Sequence, residues 1–313
     1  MTGFDVVRRR PVLLLWWGLF HLLYIGLTSV LAVGLAGPAL TQLAALQGLH
    51  PANDPAVQAQ ALASMRQLLP LYGLMLPVML VFYSMLYTAM NRAVLRPKDD
   101  RFGYLRLGRD ELRQFGLFLW AIVVGVGVYI VTVVGVLILT FIGVALAALF
   151  SKGAAAPGVG HVLVAAVIVL LTVAAWIYLT VRLSLASAMT FETRKIRLLA
   201  SWPLTEGRFW PMLGAYLLAA CLSLVVLLLG LVVMLCICVV AAGGVDAFRF
   251  IFRPDMSALA VYLTPARILY FVLTAFLYAL VWPVMLTPRA AIYRSVTAPA
   301  ADPATPWGAP SLG

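Results

Sequence analysis

Charge is what this chain of 313 residues has least of: 11% of its residues are Asp, Glu, Lys or Arg, against roughly 25% in soluble domains whose surfaces must face water. A soluble fold of this length could not cover itself with so few charges. Acid is scarcer still, 11 Asp and Glu against 22 Lys and Arg. Histidine occurs three times, as His21, His50 and His161, near the ends of different segments. No His-Glu-x-x-His, phosphate-gripping Gly-x-x-x-x-Gly-Lys or Gly-x-Ser-x-Gly occurs, so no catalytic residue, metal site or cofactor is assigned. The three cysteines, Cys221, Cys236 and Cys238, fall in one apolar run. Each helical position turns by about 100°, so Cys236 and Cys238 point to nearly opposite faces and suit neither a disulfide nor a metal.

What the chain has in abundance is apolar length. Hydrophobic residues make up 64% and mean hydropathy is +1.04. Several uninterrupted runs exceed the roughly 20 residues that cross a hydrocarbon core of about 30 Å. They do not alternate as barrel strands do, which leaves helices. The expected fold is all-α: a polytopic membrane helical bundle with spans at about 12–37, 70–91, 115–145, 161–190, 209–241 and 266–288. Residues 1–295 read as a single transmembrane domain and 296–313, rich in Pro and Ala, as a disordered cytoplasmic tail. The run after Arg8, Arg9 and Arg10 is longer than a secretory signal core and reads as an uncleaved first span.

Orientation follows from the basic residues, because cytoplasmic loops retain Lys and Arg during insertion. Sixteen lie in the amino terminus, the second and fourth loops and the tail; five lie in the alternate segments, and Arg182 sits inside a span. Both termini are therefore expected in the cytoplasm of a bacterial cell, with the chain in the inner membrane. The same clustering against apolar runs argues against a nucleic-acid partner.

Two cytoplasmic loops carry amphipathic signals. Arg106, Arg109, Asp110 and Arg113 recur at helical spacing opposite Leu105, Leu112 and Phe115, an elbow helix expected in the headgroup layer. A second elbow sets Arg194, Lys195 and Arg197 against Ile196, Leu198, Leu199 and Trp202, followed by Phe209 and Trp210 at interfacial depth. The hexapeptides at Ala89–Val94 and Ala291–Val296 match at several positions and suggest an internal repeat, with Arg92 and Arg294 each anchoring a helix end at the phosphates. On the other side, Asn53-Asp54-Pro55 is a helix start, and Val57, Leu62, Met65 and Leu69 give the helix an apolar face. Phe248, Phe250 and Phe252 around Arg249 and Arg253 are a further headgroup-seeking segment. Gly127, Gly135 and Gly143 would admit a close neighbouring helix.

An intramembrane charge costs at least about 2.5 to 3.5 kcal/mol, so Arg182 stands out. Either its side chain snorkels to the inner phosphates, or it is buried, pairing with Glu192 or lining a polar cavity with Ser184, Ser187 and Thr190. Pairing within one straight helix is disfavoured, since ten positions leave the two about 80° apart.

Val181-Arg182-Leu183-Ser184-Leu185-Ala186, then Glu192, then Ser201-Trp202-Pro203-Leu204-Thr205-Glu206-Gly207-Arg208-Phe209-Trp210 resembles a family of bacterial multi-span proteins. It includes uncharacterised stand-alone members and the membrane-spanning domain attached to some glycerophosphodiester phosphodiesterases. Tyr104–Leu112 looks like a feature of the stand-alone members. The resemblance implies a helical membrane domain with elbow helices. It carries no catalytic residue over, because the phosphodiesterase chemistry sits in a soluble barrel this sequence lacks. From the residues themselves, Thr205 is expected to cap, and Gly207 to turn, the chain ahead of the fifth span.

The leading expectation is thus a non-enzymatic accessory or scaffold engaging membrane lipids, through anionic headgroups, or a protein partner, a second copy included. A small-molecule or lipid transporter is the alternative, and an intramembrane lipid-modifying enzyme the third reading. That enzyme would need Arg182 and Glu192 to meet Asp110, Glu111 or His161 in space.

Overall fold

The computed structural model describes residues 2–46, 54–150, 159–241, 243–244 and 254–298, without the side chains of residues 2, 144 and 146–165. Among the described residues every regular element is helical. Six helices are long and apolar enough to cross a membrane, as the hydropathy predicts.

A short α1 (Thr2–Arg9) is broken from α2 (Val12–Leu46) at Pro11, which has no amide proton to continue the helix. Next come α3 (Pro55–Gln67), α4 (Leu69–Leu95) and a single 3-10 turn (Arg101–Tyr104). The long α5 (Arg109–Phe150) and α6 (Val159–Leu183) follow, then α7 (Ala186–Thr193) and the one-turn α8 (Ser201–Leu204). The chain ends with α9 (Phe209–Ala241), a short α10 (Leu259–Tyr262) and α11 (Pro265–Thr297). Several spans overrun the predicted limits, α2 by nine residues and α11 by ten, one at its start and nine at its end.

The central helix is α11, packed against α9, α2, α4 and α1. Its start is capped by Thr264, whose hydroxyl accepts the Arg267 amide ahead of a first-turn Pro265. The largest core joins α2, α4 and α11 through Leu13, Trp17, Phe82, Leu86, Met90 and Leu286. There α1 folds back so closely that a methyl on Gly3 would sit 2.6 Å from the Pro283 carbonyl oxygen. A second cluster, Val94, Val181, Leu185, Ala188, Met212 and Tyr293, ties α4, α7, α9 and α11 together.

Several local expectations take another form. The elbow predicted around Arg106, Arg109 and Arg113 is no separate helix: residues 105–108 are irregular and Arg109 opens α5 itself, a continuous helix of 42 residues. The second elbow shrinks to α8, a single turn. Each loop is held by side-chain bonds to the bundle, which compete with a free amphipathic helix. Asp54 caps α3 as expected, accepting the Ala56 amide at 2.8 Å. But α3 packs through Ser64, which donates to Gln42 at 3.0 Å, and leaves Leu62 and Met65 exposed, while Leu69, also exposed, opens α4 instead. In lipid an apolar face has no need to turn inward. Gly127 and Gly135 likewise meet nothing within 4 Å, so the expected close helix approach does not occur there. Gly143 is half-buried. The Phe248–Arg253 segment, His50 and the tail beyond residue 298 lie outside the described residues, as does the side chain of His161.

Candidate functional site

The polar end of the bundle, where the basic residues gather, holds two adjoining arrangements. The first is built on Arg92, in the last turn of α4. Sequence reasoning placed it at the phosphates, yet its side chain is fully buried. Nη2 donates to Glu111 Oε1 at 2.7 Å and lies 3.7 Å from Asp110, while Nη1 donates to the Tyr104 carbonyl at 2.5 Å. One turn on, Arg96 links Asp110 (3.9 Å) to Glu192 on α7 (3.8 Å) and stacks over Phe191 at 4.5 Å. Arg113 closes on Asp110 at 2.8 Å. Arg92, Arg96 and Arg113 thus balance Asp110, Glu111 and Glu192. The helix ends support this arrangement: acids in the first turn of α5 and Arg92 near the end of α4 both oppose their helix dipoles. Three polar atoms in or beside the network keep no hydrogen-bond partner among the described residues: Arg92 Nε, Glu111 Oε2 and Gln114 Nε2.

The carbonyl that receives Arg92 is set by an unusual turn. Phe102, Gly103 and Tyr104 are all left-handed, with φ of 51°, 65° and 67°. Such backbone costs side-chain-bearing residues about 1 to 2 kcal/mol each. It aims two carbonyls inward, Gly103 at the buried Trp17 indole (2.8 Å) and Tyr104 at Arg92. These bonds hold the strained turn in place.

Arg182 neither snorkels nor meets Glu192. The helix breaks after Leu183, and Arg182 is buried between Trp202, 4.8 Å from the ring centre, and Tyr178, 5.5 Å away. Nη1 donates to Thr205 at 3.2 Å, and the Arg182 carbonyl accepts Ser201 Oγ at 2.9 Å. Thr205 therefore serves Arg182 rather than capping α9, while Gly207 does supply a left-handed turn at φ 70°. Of the polar residues grouped with Arg182, Ser184 bonds Tyr216 (2.7 Å), Ser187 accepts from Asn91 (2.9 Å), and Thr190 receives the Arg197 amide (3.4 Å). The block 201–205 folds onto Arg182 as a lid of polar and aromatic groups.

The second arrangement is a cavity of about 520 Å³ among α1, the end of α4 and the end of α11. Arg9, Arg10 and Arg294 line it, with Asp5, Tyr104 and Ser295. Arg10 also pairs with Asp100, and Arg294 Nη1 lies 3.4 Å from the Val94 carbonyl. The two matched hexapeptides thus touch, but in unlike surroundings: Arg92 is fully buried and Arg294 exposed. Around the same end Arg106, Arg109, Arg194, Lys195, Arg197 and Arg208 are exposed; Arg106 pairs with Asp99 at 2.9 Å. Trp210 is exposed beside a half-buried Phe209, and Trp202 is turned onto Arg182.

Two signals pointed to the Arg92 network. Acid is rare, yet Asp99, Asp100, Asp110 and Glu111 fall within 13 residues. Arg92 lies at a predicted helix end facing them. What hid the network was the default reading of helix-end arginine as a headgroup anchor. Comparison with protein-family models, curated proteins and solved structures finds no match.

Proposed function

We propose that this protein is a non-enzymatic accessory or scaffold of the bacterial inner membrane that holds anionic phosphoryl headgroups at its basic end. The supporting observation is the arginine-lined cavity. Its volume of about 520 Å³ falls in the range of small-ligand sites. It opens where the two described termini meet, ringed by exposed cations. The positive bias assigns this end to the cytoplasm, where anionic lipids attract each basic residue with about 1 kcal/mol. The relation to the membrane domain of glycerophosphodiester phosphodiesterases belongs to this proposal and rests on residues 181–210.

Neither alternative gains comparable support. Transport calls for a polar passage, and the mid-depth cavity beside α4 is walled by Phe20, Leu23, Leu27, Leu74 and Phe82. For lipid chemistry, Glu192 joins Asp110 through Arg96, but Arg182 stands apart in its aromatic cage.

The test is native mass spectrometry of the full chain in detergent with phosphatidylglycerol, phosphatidylethanolamine or inorganic phosphate added. The Arg9→Ala/Arg294→Ala variant should keep its melting temperature, since both side chains are exposed, and bind phosphatidylglycerol about thirtyfold more weakly, at roughly 1 kcal/mol per arginine. Unchanged binding in the variant sinks the proposal. Equal competition by inorganic phosphate reassigns the cavity to a soluble anion.

A further inference from the structure

A groove runs along α4 apart from the basic cavity. Its deeper part, about 380 Å³, lies between α2 and α4, lined by Phe20, Tyr24, Leu74, Val78 and Phe82. The shallower part, about 300 Å³, lies between α4 and the start of α5, lined by Ser84, Leu107, Gly108, Glu111 and Phe115. Val81 and Met85 wall both parts, so the two adjoin along this edge of α4. At 1.5 Å per residue, Leu74 to Met85 spans about 16 Å, half of a hydrocarbon core of about 30 Å. That stretch covers the middle of the α4 span, and the shallower part continues it toward the polar end.

The groove terminates on Glu111, which is 4% exposed. Its Oε1 is taken by Arg92, whereas Oε2 has no hydrogen-bond partner among the described residues. A buried carboxylate oxygen left unmet is costly, so the site calls for a donor. Charge decides which donor. The surrounding arginines and acids already balance, so an incoming ammonium would add an uncompensated charge against apolar walls. It would also bring three donors to a wall where Glu111 and Ser84 are the lining residues with polar side chains. A phosphate would face the carboxylate directly. A hydroxyl brings one donor and no charge.

We propose that this groove holds a neutral membrane lipid with a free hydroxyl head, of the diacylglycerol type, whose hydroxyl donates to Glu111 Oε2 while a chain lies along Val81 and Met85. The site is distinct from the arginine cavity and does not depend on it.

Photoactivatable diacylglycerol, added to the full chain in phosphatidylglycerol vesicles and mapped by mass spectrometry, tests the assignment. Two variants leave every side chain of the Arg92 network in place. Val81→Trp fills the groove at its waist from an exposed position. Gly108→Ala places a methyl 3.3 Å from Glu111 Oε2 and covers it. Labelling should concentrate on residues 81–85 and 107–115 and fall about tenfold in each variant, the equivalent of one hydrogen bond to a charged acceptor. Excess diacylglycerol should compete and excess phosphatidylethanolamine should not. Labelling spread evenly over lipid-facing α5, insensitivity to both variants, or equal competition by phosphatidylethanolamine would each overturn the proposal. Unchanged melting temperatures separate lost binding from lost folding.

Discussion

The two ends of α5 behave as if they belonged to different proteins. Its first turns are locked into the bundle: Glu111 and Gln114 are buried, Asp110 and Glu111 grip Arg92, and Phe118 meets Tyr87 edge-on at 5.1 Å. From Phe118 to Gly143, roughly 38 Å of helix, no residue is buried although nearly all are apolar. In water that stretch would be the part most driven to pack. In lipid it gains almost nothing by leaving one apolar surrounding for another, whereas unpaired polar groups are costly until they find each other. Association is therefore concentrated where hydrophobicity is lowest.

The sharpest way to break the contrast is Arg92→Ala. Removing one member of a buried charge network strands the others, and a loss of about 3 to 5 kcal/mol is expected, read as a large fall in melting temperature in detergent. Arg92→Met with Glu111→Leu should recover much of it, because two packed apolar groups avoid the desolvation penalty. If the double variant is as unstable as the single, the carbonyl bond to Tyr104 rather than the ion pair carries the site. A middle effect is expected at Arg182, whose partners are two rings and one hydroxyl. Arg182→Ala should cost about 1 to 3 kcal/mol in the same melting assay. Lys should restore less than half, since it lacks the planar face that stacks between the rings. Full rescue by Lys would mean that charge alone matters there. The smallest effect belongs to the far half of α5. Gly127→Ala and Gly135→Ala meet open space and should change stability by less than about 1 kcal/mol, in the stabilising direction given alanine's helix propensity. A marked loss would reveal a partner seated on that face.

Much of the architecture was legible in the residues. The six spans, the Asp54 cap, the Gly207 turn and the opposite faces of Cys236 and Cys238, one exposed and one buried, each follow from local rules that need no knowledge of neighbours. The site was less legible. Arg106, Arg109 and Arg113 read as one amphipathic face, but only Arg113 is drawn into the network, because α5 begins at Arg109 and turns Arg106 toward Asp99. Glu192 was singled out together with Arg182, and it pairs with Arg96 instead. No periodicity encodes that exchange, which depends on where α4 ends relative to α7.

By itself the sequence determined that the chain is a helical membrane protein with its basic residues gathered at one end. Apolar run length and loop charge are properties of segments, and bilayer thickness converts them directly into spans. Only the tertiary structure decided which arginines are exposed and which are sealed inside. That choice depends on acids and carbonyls delivered by other helices, and a low-dielectric interior makes each such pairing strong enough to override what an isolated arginine would do.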